Sequence, residues 1–477
     1  QASRTCGRGS AAASIVSYCL GITNVDPIRH NLYFERFLNP ERVDPPDIDV
    51  DFAWDERDEI IDTTMRTFGE DHSAMVCTLI HFKTRSAVRD VARAYGLPDG
   101  EVTEMMKTAS WRNWKHNKGP DKKSDIEDEL DHAWKEVIYY AQRIKGFPKH
   151  LSVHVGGLII TPEPVTHYVP VEKAPKGVPI ITWDKDGAED AGLVKIDFLG
   201  NRSLAVIRDA IENLKSQGTV IDRLTWDPLS DKDTIGLLAT GETMGVFYVE
   251  SPAMRQLQKK TKKGDFEHLV IHSSIIRPAA NRFINTYIDR LKGKPYKGLD
   301  PRLDHILKET YGIMCYQEDV SKVAVVLADF SPAEADGLRK ILSKKNKAEK
   351  LEAYRKKFYT NAEKNGLTTD TIDEIWEMII SFEGYSFCKP HSASFALVSF
   401  QSAYLKAHHK AAFMAAVLSN GGGYYTASAY ISEAKRMGLA ILPPDINASD
   451  FKYKGYDTYI RVGFMSIGEI RFPTLKK

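Results

Sequence analysis

The sequence predicts an α+β fold in which a mixed domain is interrupted by a helical insertion and followed by a large, mostly helical domain. Short apolar, β-branched segments bounded by Pro and Gly predict strands, and they cover residues 47–52, 155–161, 179–183 and 193–199. The polar stretch 101–145 has helical patterning and is rich in lysine and tryptophan. After Gly200, long amphipathic segments typical of helices dominate to about Asn420.

Composition is that of an ordinary globular chain. Of 477 residues, 43% are hydrophobic and 27% are charged, which is enough for several domains with their own cores. No apolar run is long enough to span a membrane, and no secretory signal opens the chain. The five cysteines are scattered and form no CxxC pair, which argues against a disulfide framework or a zinc site and fits a reducing cytoplasm.

Charge is balanced overall but unevenly distributed. The net charge is +1, yet basic residues cluster at 107–123, 255–263 and 339–357, while acidic residues concentrate at 44–59. A basic groove around an acidic centre suits metal-assisted chemistry on a polyanion. The alternative is a set of solvated helix faces, which is the usual role of lysine runs. The chain also lacks an initiator methionine and enters a glycine turn almost at once, so we expect it to be part of a longer protein.

Three aspartates, Asp47, Asp49 and Asp51, alternate with apolar residues in the first predicted strand. Because side chains alternate across a strand, the carboxylates share one face and the apolar residues pack inward. Carboxylates about 7 Å apart along a strand repel one another unless cations lie among them. Asp197 stands in a later predicted strand, and pairing of the two strands would complete a cluster for divalent ions.

Such a cluster suits phosphoryl transfer with two metal ions, and magnesium prefers carboxylate and phosphate oxygens. The alternative is an exposed strand with solvated acids. The Gly9-Ser10 turn precedes a predicted helix over residues 11–20. It favours the first interpretation, because backbone N–H groups at a helix start bind phosphate well. A Gly-Ser turn, a DxD strand and a later lone Asp strand form the general plan of nucleotidyltransferases, but do not by themselves indicate a polymerase.

A series of motifs runs in order over nearly the whole chain. They are Gly7-Arg8-Gly9-Ser10, residues 34–42, residues 46–52, His154-Val155-Gly156-Gly157, residues 192–200, Gly245-Val246-Phe247, Tyr316-Gln317-Glu318, Glu334-Ala335-Asp336 and residues 387–393. This ordered set resembles the bacterial DNA polymerase III alpha subunit of the C family. The resemblance implies a template-directed DNA polymerase that adds dNTPs to a primer 3′ end, in chromosomal replication or in damage-associated error-prone synthesis.

The resemblance also implies the architecture. It implies a polymerase-beta-like nucleotidyltransferase palm, built on a mixed sheet, that is split by a helical thumb and followed by a mostly helical fingers domain. The implied limits are 1–79 and 150–201 for the palm, 80–149 for the thumb, 202–420 for the fingers, and 421–477 for the start of a clamp-binding or helix-hairpin-helix region.

The same resemblance implies the site residues. Asp47, Asp49 and Asp197 would be catalytic and hold two Mg²⁺ ions, with Asp51 in a supporting role. The residues implied to bind the nucleotide are Gly9, Ser10, Arg36, Lys195, Arg339, Lys340, Lys344 and His391. In the insertion, lysine and arginine residues alternate with tryptophans, which predicts contacts with the phosphate backbone of duplex DNA. The alternative is a solvated surface. The candidate DNA contacts are Lys107, Arg112, Lys115 and Lys118.

One nucleotide-binding helix also has local signals. Residues 331–334, Ser-Pro-Ala-Glu, have the form of a capping box with Pro at the first helical position, which predicts a helix start. Lys340 and Lys344 then lie on one face, with Arg339 beside them. Gathered cations repel one another, and a triphosphate would relieve that repulsion. A solvated face is the alternative, since lysines suit a helix carboxyl end anyway.

The implied partners are primed DNA and dNTPs and, through regions outside this chain, the sliding clamp and other replisome subunits. No membrane partner is expected, and the implied location is the cytoplasm, at the bacterial nucleoid. Two other functions stay open: a nucleotidyltransferase that uses no template, and a non-catalytic DNA-binding subunit. Three departures from the usual replicative pattern leave open whether the chain is the main replicase or the error-prone paralogue. They are Tyr248 where Gln is common, residues 276–282 in place of an Arg-Pro-Gly-Pro stretch, and residues 150–154.

Overall fold

The computed structural model describes residues 5–38, 48–107, 132–222, 225–277, 280–343, 348–383 and 388–468. These residues form a mixed α and β structure in which helices predominate. The chain divides into two compact units. The first consists of Gln1–Ile61 and Ile196–Lys477, and the second of Asp62–Lys195. The limits of palm, thumb and fingers stay predictions.

The elements of the described residues follow in chain order. The strands are β1 (Thr5–Arg8), β2 (Asp49–Ala53), β3 (Ser73–His81), β4 (Pro148–Ile160), β5 (Val171–Lys173), β6 (Pro179–Ile181), β7 (Lys195–Asn201), β8 (Ala440–Leu442), β9 (Lys454–Tyr456) and β10 (Tyr459–Arg461). The α-helices are α1 (Ile15–Cys19), α2 (Arg57–Phe68), α3 (Thr84–Ala94), α4 (Asp99–Met105), α5 (His132–Ile144), α6 (Lys185–Asp190), α7 (Arg202–Ser216), α8 (Lys232–Thr240), α9 (Pro252–Thr261), α10 (Phe266–Ile275), α11 (Asn281–Leu291), α12 (Pro301–Asp304), α13 (Gln317–Ala328), α14 (Pro332–Ser343), α15 (Ala348–Lys364), α16 (Thr369–Ile380), α17 (Lys389–His408), α18 (Lys410–Asn420) and α19 (Ala427–Arg436).

Three strands of the first unit unite the acidic segment with the later aspartate strand. β1 pairs with β2 in antiparallel fashion, and β2 pairs with β7 in parallel. The register sets Val50 beside Phe198. The two aspartate-bearing strands therefore lie side by side, as the predicted metal site requires.

The Gly9 turn starts a shorter helix than the sequence predicted. Instead of one helix over 11–20, a 3-10 helix (Gly9–Ala13) is followed by the five-residue α1. The break lies at Ser14, whose backbone is extended and whose hydroxyl accepts a hydrogen bond from the Ser17 N–H at 3.2 Å, as an N-cap does. Gly9 has a φ of +68°, a conformation that glycine adopts without cost.

The acidic face of β2 is its more buried face, so the prediction that the apolar residues pack inward was wrong. Asp51 is 3% exposed, whereas Val50 and Phe52 are only partly buried. The reason is that α17 packs against β1 on the acidic side. There the Cys6 thiol, on the residue paired with Asp51, donates to the Ser394 hydroxyl at 3.7 Å.

The helical part of the first unit is built around α17 and α18. Every residue of α18 from Ala411 to Asn420 is buried, as expected for a helix that is apolar on all sides. α7 packs along α18, and α10 packs along α17. A small sheet with strand order β8-β10-β9 also contacts α18. The helical stretch predicted up to Asn420 is confirmed for the described residues, and the small sheet was not predicted.

The second unit combines strands in the order β4-β3-β6-β5 with two apolar cores. β3 pairs with β4 in antiparallel fashion and with β6 in parallel. One core lies between α3, α4 and α5, and the other lies against the strands. Of the helical stretch predicted at 101–145, residues 108–131 fall outside the described part. No helix in the described ranges is long and apolar enough to cross a bilayer.

A buried ion pair joins α17 to α19. The Lys406 ammonium donates to the Glu433 carboxylate at 2.8 Å and to the carbonyls of Glu242 and Met244 at 2.7 and 2.8 Å. All three ammonium donors are therefore used. Because the lysine side chain is only 1% exposed, water has little access to replace a lost partner.

We expect Lys406→Ala to lower the free energy of unfolding by about 2–4 kcal/mol, since it leaves two buried carbonyls without their donor and removes one of the two cations paired with Glu433, the other being Arg436. Urea unfolding followed by circular dichroism measures this. Lys435→Ala is the matched control, because Lys435 is an exposed lysine of α19 and should cost no more than about 0.5 kcal/mol. A loss at Lys406 no larger than that of the control would contradict the prediction.

Candidate active site

Two aspartates stand side by side where β2 pairs with β7. Each precedes the Val50–Phe198 pair by one residue on its own strand, so Asp49 and Asp197 leave the sheet on the same face. The Gly9 turn lies close to the Asp49 carboxylate, because a Cβ atom on Gly9 would lie 3.5 Å from Asp49 Oδ2. The strands thus bring together two of the three predicted metal ligands.

The third predicted ligand, Asp47, lies outside the described residues. Among the residues that are described, no three His, Cys, Asp or Glu side chains form a group that could hold a metal ion. The two carboxylates that are described still have the donor chemistry that Mg²⁺ prefers. Their arrangement on neighbouring strands therefore fits such an ion.

Asp51 has structural partners of its own. Its carboxylate accepts a hydrogen bond from the Asn201 amide at 3.0 Å and lies 3.6 Å from Arg8 Nε. Burial raises the pKa of Asp51, while the Arg8 charge and the Asn201 amide act in the opposite direction. A buried carboxylate held in this way fits the supporting role expected from the sequence better than direct metal binding.

A second cluster of side chains in the first unit contains two guanidinium groups. Arg36 and Arg339 donate to the same acceptor, the Gln317 side-chain oxygen, at 3.0 and 3.3 Å. Each side chain is only 13% exposed. Burial lowers the pKa of Arg339, and the Arg36 charge lowers it further. Two buried like charges this close favour an anion beside them.

The helix that carries Arg339 begins as predicted. The Ser331 hydroxyl accepts from the Glu334 N–H at 3.2 Å, and the Glu334 carboxylate accepts from the Ser331 N–H at 3.0 Å, which confirms the capping box.

The predicted row of mutually repelling cations on this helix needs a correction. Arg339 and Lys340 both pair with Asp336, at 2.7 and 3.0 Å, so part of their charge is already compensated. Lys340 points outward and is half exposed. Lys344 lies outside the described residues.

His391 lies near both the Arg36–Arg339 cluster and the strands that carry the aspartates. It lies in the first turn of α17 and is 5% exposed. Burial lowers its pKa to about 3, and the charges of Arg8 and Arg36 add to this effect. Arg8 in turn lies beside Asp51. The imidazole is therefore neutral at physiological pH and stands next to the cations.

An open cleft borders this cluster. It has a volume of about 930 Å³ and is lined by Arg36, Glu318, Asp336 and Lys389, with tyrosines on several sides. The Lys389 ammonium pairs with Glu309 at 2.8 Å, and its backbone N–H donates to the buried Glu318 carboxylate at 3.3 Å. A cleft of this size accommodates a small ligand.

The remaining predicted site residues lie apart from this group or outside the described ranges. Lys195 belongs to the second unit, where its aliphatic chain packs so closely on Gly157 that a Cβ there would lie 3.1 Å from it. Lys107 is largely exposed and pairs with Glu104 at 2.7 Å. The other predicted DNA contacts, Arg112, Lys115 and Lys118, fall outside the described residues.

Two family models match the chain in succession. The model described as the bacterial DNA polymerase III alpha NTPase domain matches residues 2–200, and the model described as the bacterial DNA polymerase III alpha subunit finger domain matches residues 203–366. The chain belongs to the bacterial DNA polymerase III alpha family.

Curated relatives of this family align along almost the whole chain. An error-prone DNA polymerase of Bdellovibrio bacteriovorus is 37% identical over 97% of the chain and 44% of its own length. The DNA polymerase III subunit alpha of Thermus aquaticus is 37% identical over 97% of the chain and 39% of its own length, and that of Staphylococcus aureus is 38% identical over 98% and 44%. The chain therefore spans about two fifths of the length of these relatives.

Sequence reasoning did not single out Arg8, Asn201, Gln317 or Glu318 as site residues. Three of them stand inside family motifs of the DNA polymerase III alpha subunit that the sequence displays, so a signal was present. Their functions as bridges between charged groups depend on tertiary contacts, which a linear pattern does not contain.

We expect the His391 imidazole not to titrate between about pH 5 and 8, because burial and two neighbouring cations disfavour the imidazolium ion. Since the folded-state pKa is depressed, its stabilising contribution is fully present above about pH 6.5 and declines as the pH falls. NMR spectra of the histidine ring signals across this range measure the titration, and His391→Gln assigns the signal. A midpoint near the ordinary histidine value would show that the cluster is open to water.

Proposed function

We propose that this chain is the catalytic core of a template-directed DNA polymerase that adds dNTPs to a primer 3′ end, in chromosomal replication or in damage-associated error-prone synthesis. The observation that carries the proposal is the presence in one unit of two groups, the Asp49–Asp197 pair and the Arg36–Arg339 cluster, with the buried His391 near the charges of Arg8 and Arg36. Carboxylates for metal ions beside preorganised cations are what nucleotidyl transfer requires. Membership of the DNA polymerase III alpha family supports the same function.

Asp47, Asp49 and Asp197 would hold two Mg²⁺ ions. When bound, such ions stabilise the attacking and leaving oxygens of an in-line displacement. The chain itself supplies the geometry, because the pairing of β2 with β7 fixes the distance between the two described carboxylates. Asp51, tied to Arg8 and Asn201, keeps β2 in register beside the cations.

The cations would bind the triphosphate of the incoming nucleotide. The Gln317 oxygen holds Arg36 and Arg339 in fixed positions before a ligand arrives, so little reorganisation accompanies binding. His391 is neutral and can donate a hydrogen bond without adding charge. The Gly9-Ser10 turn, Lys195, Lys340 and Lys344 are further proposed phosphate contacts.

The other assignments follow the same proposal. The palm would comprise 1–79 and 150–201, the thumb 80–149 and the fingers 202–420, with residues 421–477 starting the next region. Lys107, Arg112, Lys115 and Lys118 would contact the duplex backbone. A sliding clamp and other replisome subunits would bind through regions beyond this chain.

Primer extension with and without a template strand tests the function directly. A polymerase incorporates only the dNTP that pairs with the template, whereas a template-independent nucleotidyltransferase extends the lone primer as well. A non-catalytic DNA-binding subunit incorporates nothing in the presence of Mg²⁺. Either of the last two results would refute the proposal.

We expect Asp49→Asn and Asp197→Asn, like Asp47→Asn, to lower the incorporation rate by about a thousandfold or more, since carboxylates that hold the metals stabilise charge in the transition state. Affinity for primed DNA should change little, because it depends mainly on basic contacts with phosphates. Single-turnover incorporation and fluorescence anisotropy measure the two quantities. Asp58→Asn, at an exposed aspartate of α2, is the control, and an Asp197 variant with normal rate would refute the metal site.

We expect Arg339→Ala to raise the dNTP concentration for half-maximal rate by about tenfold, and Lys340→Ala by less, because Arg339 is buried in the cluster while Lys340 is half exposed. A dNTP titration under single-turnover conditions measures this. Arg355→Ala, at an exposed arginine of α15, is the control. Loss of DNA affinity with an unchanged dNTP requirement would reassign Arg339 to the template strand.

A further inference from the structure

An aromatic cluster lies at the amino-terminal end of α17, beside the cations of the candidate active site. It consists of Phe247, Tyr248, His391 and Phe395. The Tyr248 ring stands nearly perpendicular to those of His391 and Phe395, with centroid distances of 6.3 and 5.1 Å and interplanar angles of 83° and 85°. The His391 and Phe395 rings lie 4.2 Å apart. Edge-to-face contacts of this kind favour one relative orientation of the rings.

The backbone of Tyr248 is in the left-handed region, with a φ of +66°. Bulky residues rarely adopt this conformation, and it persists only where the surrounding structure imposes it, often at ligand sites. Here it turns the tyrosine ring toward α17 and its first-turn histidine.

The loop that carries Tyr248, residues 241–251, is held on both sides of the tyrosine. On one side, the Ser399 hydroxyl of α17 donates to the Phe247 carbonyl at 2.9 Å. On the other, the Thr243 hydroxyl donates to the Val249 carbonyl at 2.6 Å. The buried Lys406 ammonium fixes the start of the same loop.

Glu250 closes the loop. Its carboxylate accepts hydrogen bonds from the N–H groups of Gly245 and Tyr424, at 2.8 and 2.7 Å, and from the Tyr430 hydroxyl at 2.7 Å. The unusual backbone at Tyr248 is thus enforced by contacts that come from several helices and from the loop itself.

We propose that Tyr248 is a positioning residue of the nucleotide site: it holds the buried His391 ring in one orientation and, being only partly buried itself, offers its own ring to the base of the incoming nucleotide. This inference rests on the proposed function. Bases stack on aromatic rings largely independently of their sequence. The helix turn that carries His391 also reaches the arginines that would bind the phosphates, because the Lys389 N–H donates to Glu318, which lies 3.9 Å from Arg36.

Two substitutions separate the ring from the backbone. Tyr248→Asn removes the ring but keeps a residue that tolerates the left-handed conformation, so the loop can still fold. Tyr248→Phe keeps the ring. The matched control is Tyr359→Asn. Tyr359 is also a partly buried tyrosine, but its ring packs on Trp376, with ring centroids 6.1 Å apart, and not on the aromatic cluster.

Two measurements follow each variant. In single-turnover primer extension, Tyr248→Asn should raise the dNTP concentration for half-maximal rate by about fivefold or more while the maximal rate stays within about twofold. Tyr248→Phe and Tyr359→Asn should both resemble the wild-type chain. In NMR spectra, the His391 ring signal should shift in Tyr248→Asn and should stay in place in the control.

The outcomes distinguish the inference from the proposed function. A Tyr248→Asn variant with an unchanged dNTP requirement and an unchanged His391 signal would overturn the inference, as would an equal effect of Tyr359→Asn on both. A wild-type chain that incorporates no dNTP would refute the proposed function instead. The NMR comparison would then still decide whether Tyr248 orients His391.

Discussion

The parallel pairing of β2 with β7 is the constraint on which the candidate active site depends. It sets Asp49 beside Asp197 although the entire second unit lies between them in the chain. Closing so long a connection costs conformational entropy, and the cores of the second unit offset that cost by folding the connection itself. Because side chains alternate along a strand, a slip of one residue would turn one aspartate to the opposite face and abolish the pair.

Placing two arginine side chains close together in the first unit costs free energy that their neighbours do not fully offset. Arg36 and Arg339 are both largely buried and share one neutral acceptor, Gln317. Asp336 compensates Arg339, and Glu318 lies 3.9 Å from Arg36. Burial and the Arg36 charge lower the pKa of Arg339, whereas the pKa of Arg36 is raised because neighbouring acidic groups outweigh its burial, so the charge that remains uncompensated lies at Arg339. Such a site is less stable empty than with a polyanion bound, which is the property a triphosphate site needs.

Local signals in the sequence predicted local features well. The capping box at Ser331 formed because both partners lie within four residues of each other, and the alternation of acids along β2 followed from strand geometry alone. The sequence could not predict that Asp49 lies beside Asp197, because neither segment alone determines which distant strands pair or in which register.

Features that depend on distant contacts were missed or wrong. The inward packing expected for the apolar residues of β2 was wrong because α17 packs against β1 on the acidic side. The break at Ser14 is a local N-cap inside the helix expected at 11–20, and the sequence analysis missed it. The left-handed conformation of Tyr248 was likewise not predicted, because Ser399 and Lys406 of α17 hold its loop from a distant part of the chain, together with Glu250 of the loop itself.

Metal rescue tests most directly whether the strand pair holds the catalytic metals. Asp49→Cys and Asp197→Cys replace hard carboxylate ligands by softer thiolates, which bind Mg²⁺ poorly but accept softer ions. Primer extension by each variant is measured with Mg²⁺, Mn²⁺ and Cd²⁺, with Asp58→Cys as the control. We expect both variants to be nearly inactive with Mg²⁺ and to recover part of their activity with Mn²⁺ or Cd²⁺. Activity that is equal with all three ions, or near normal with Mg²⁺, would contradict direct metal binding by these two aspartates.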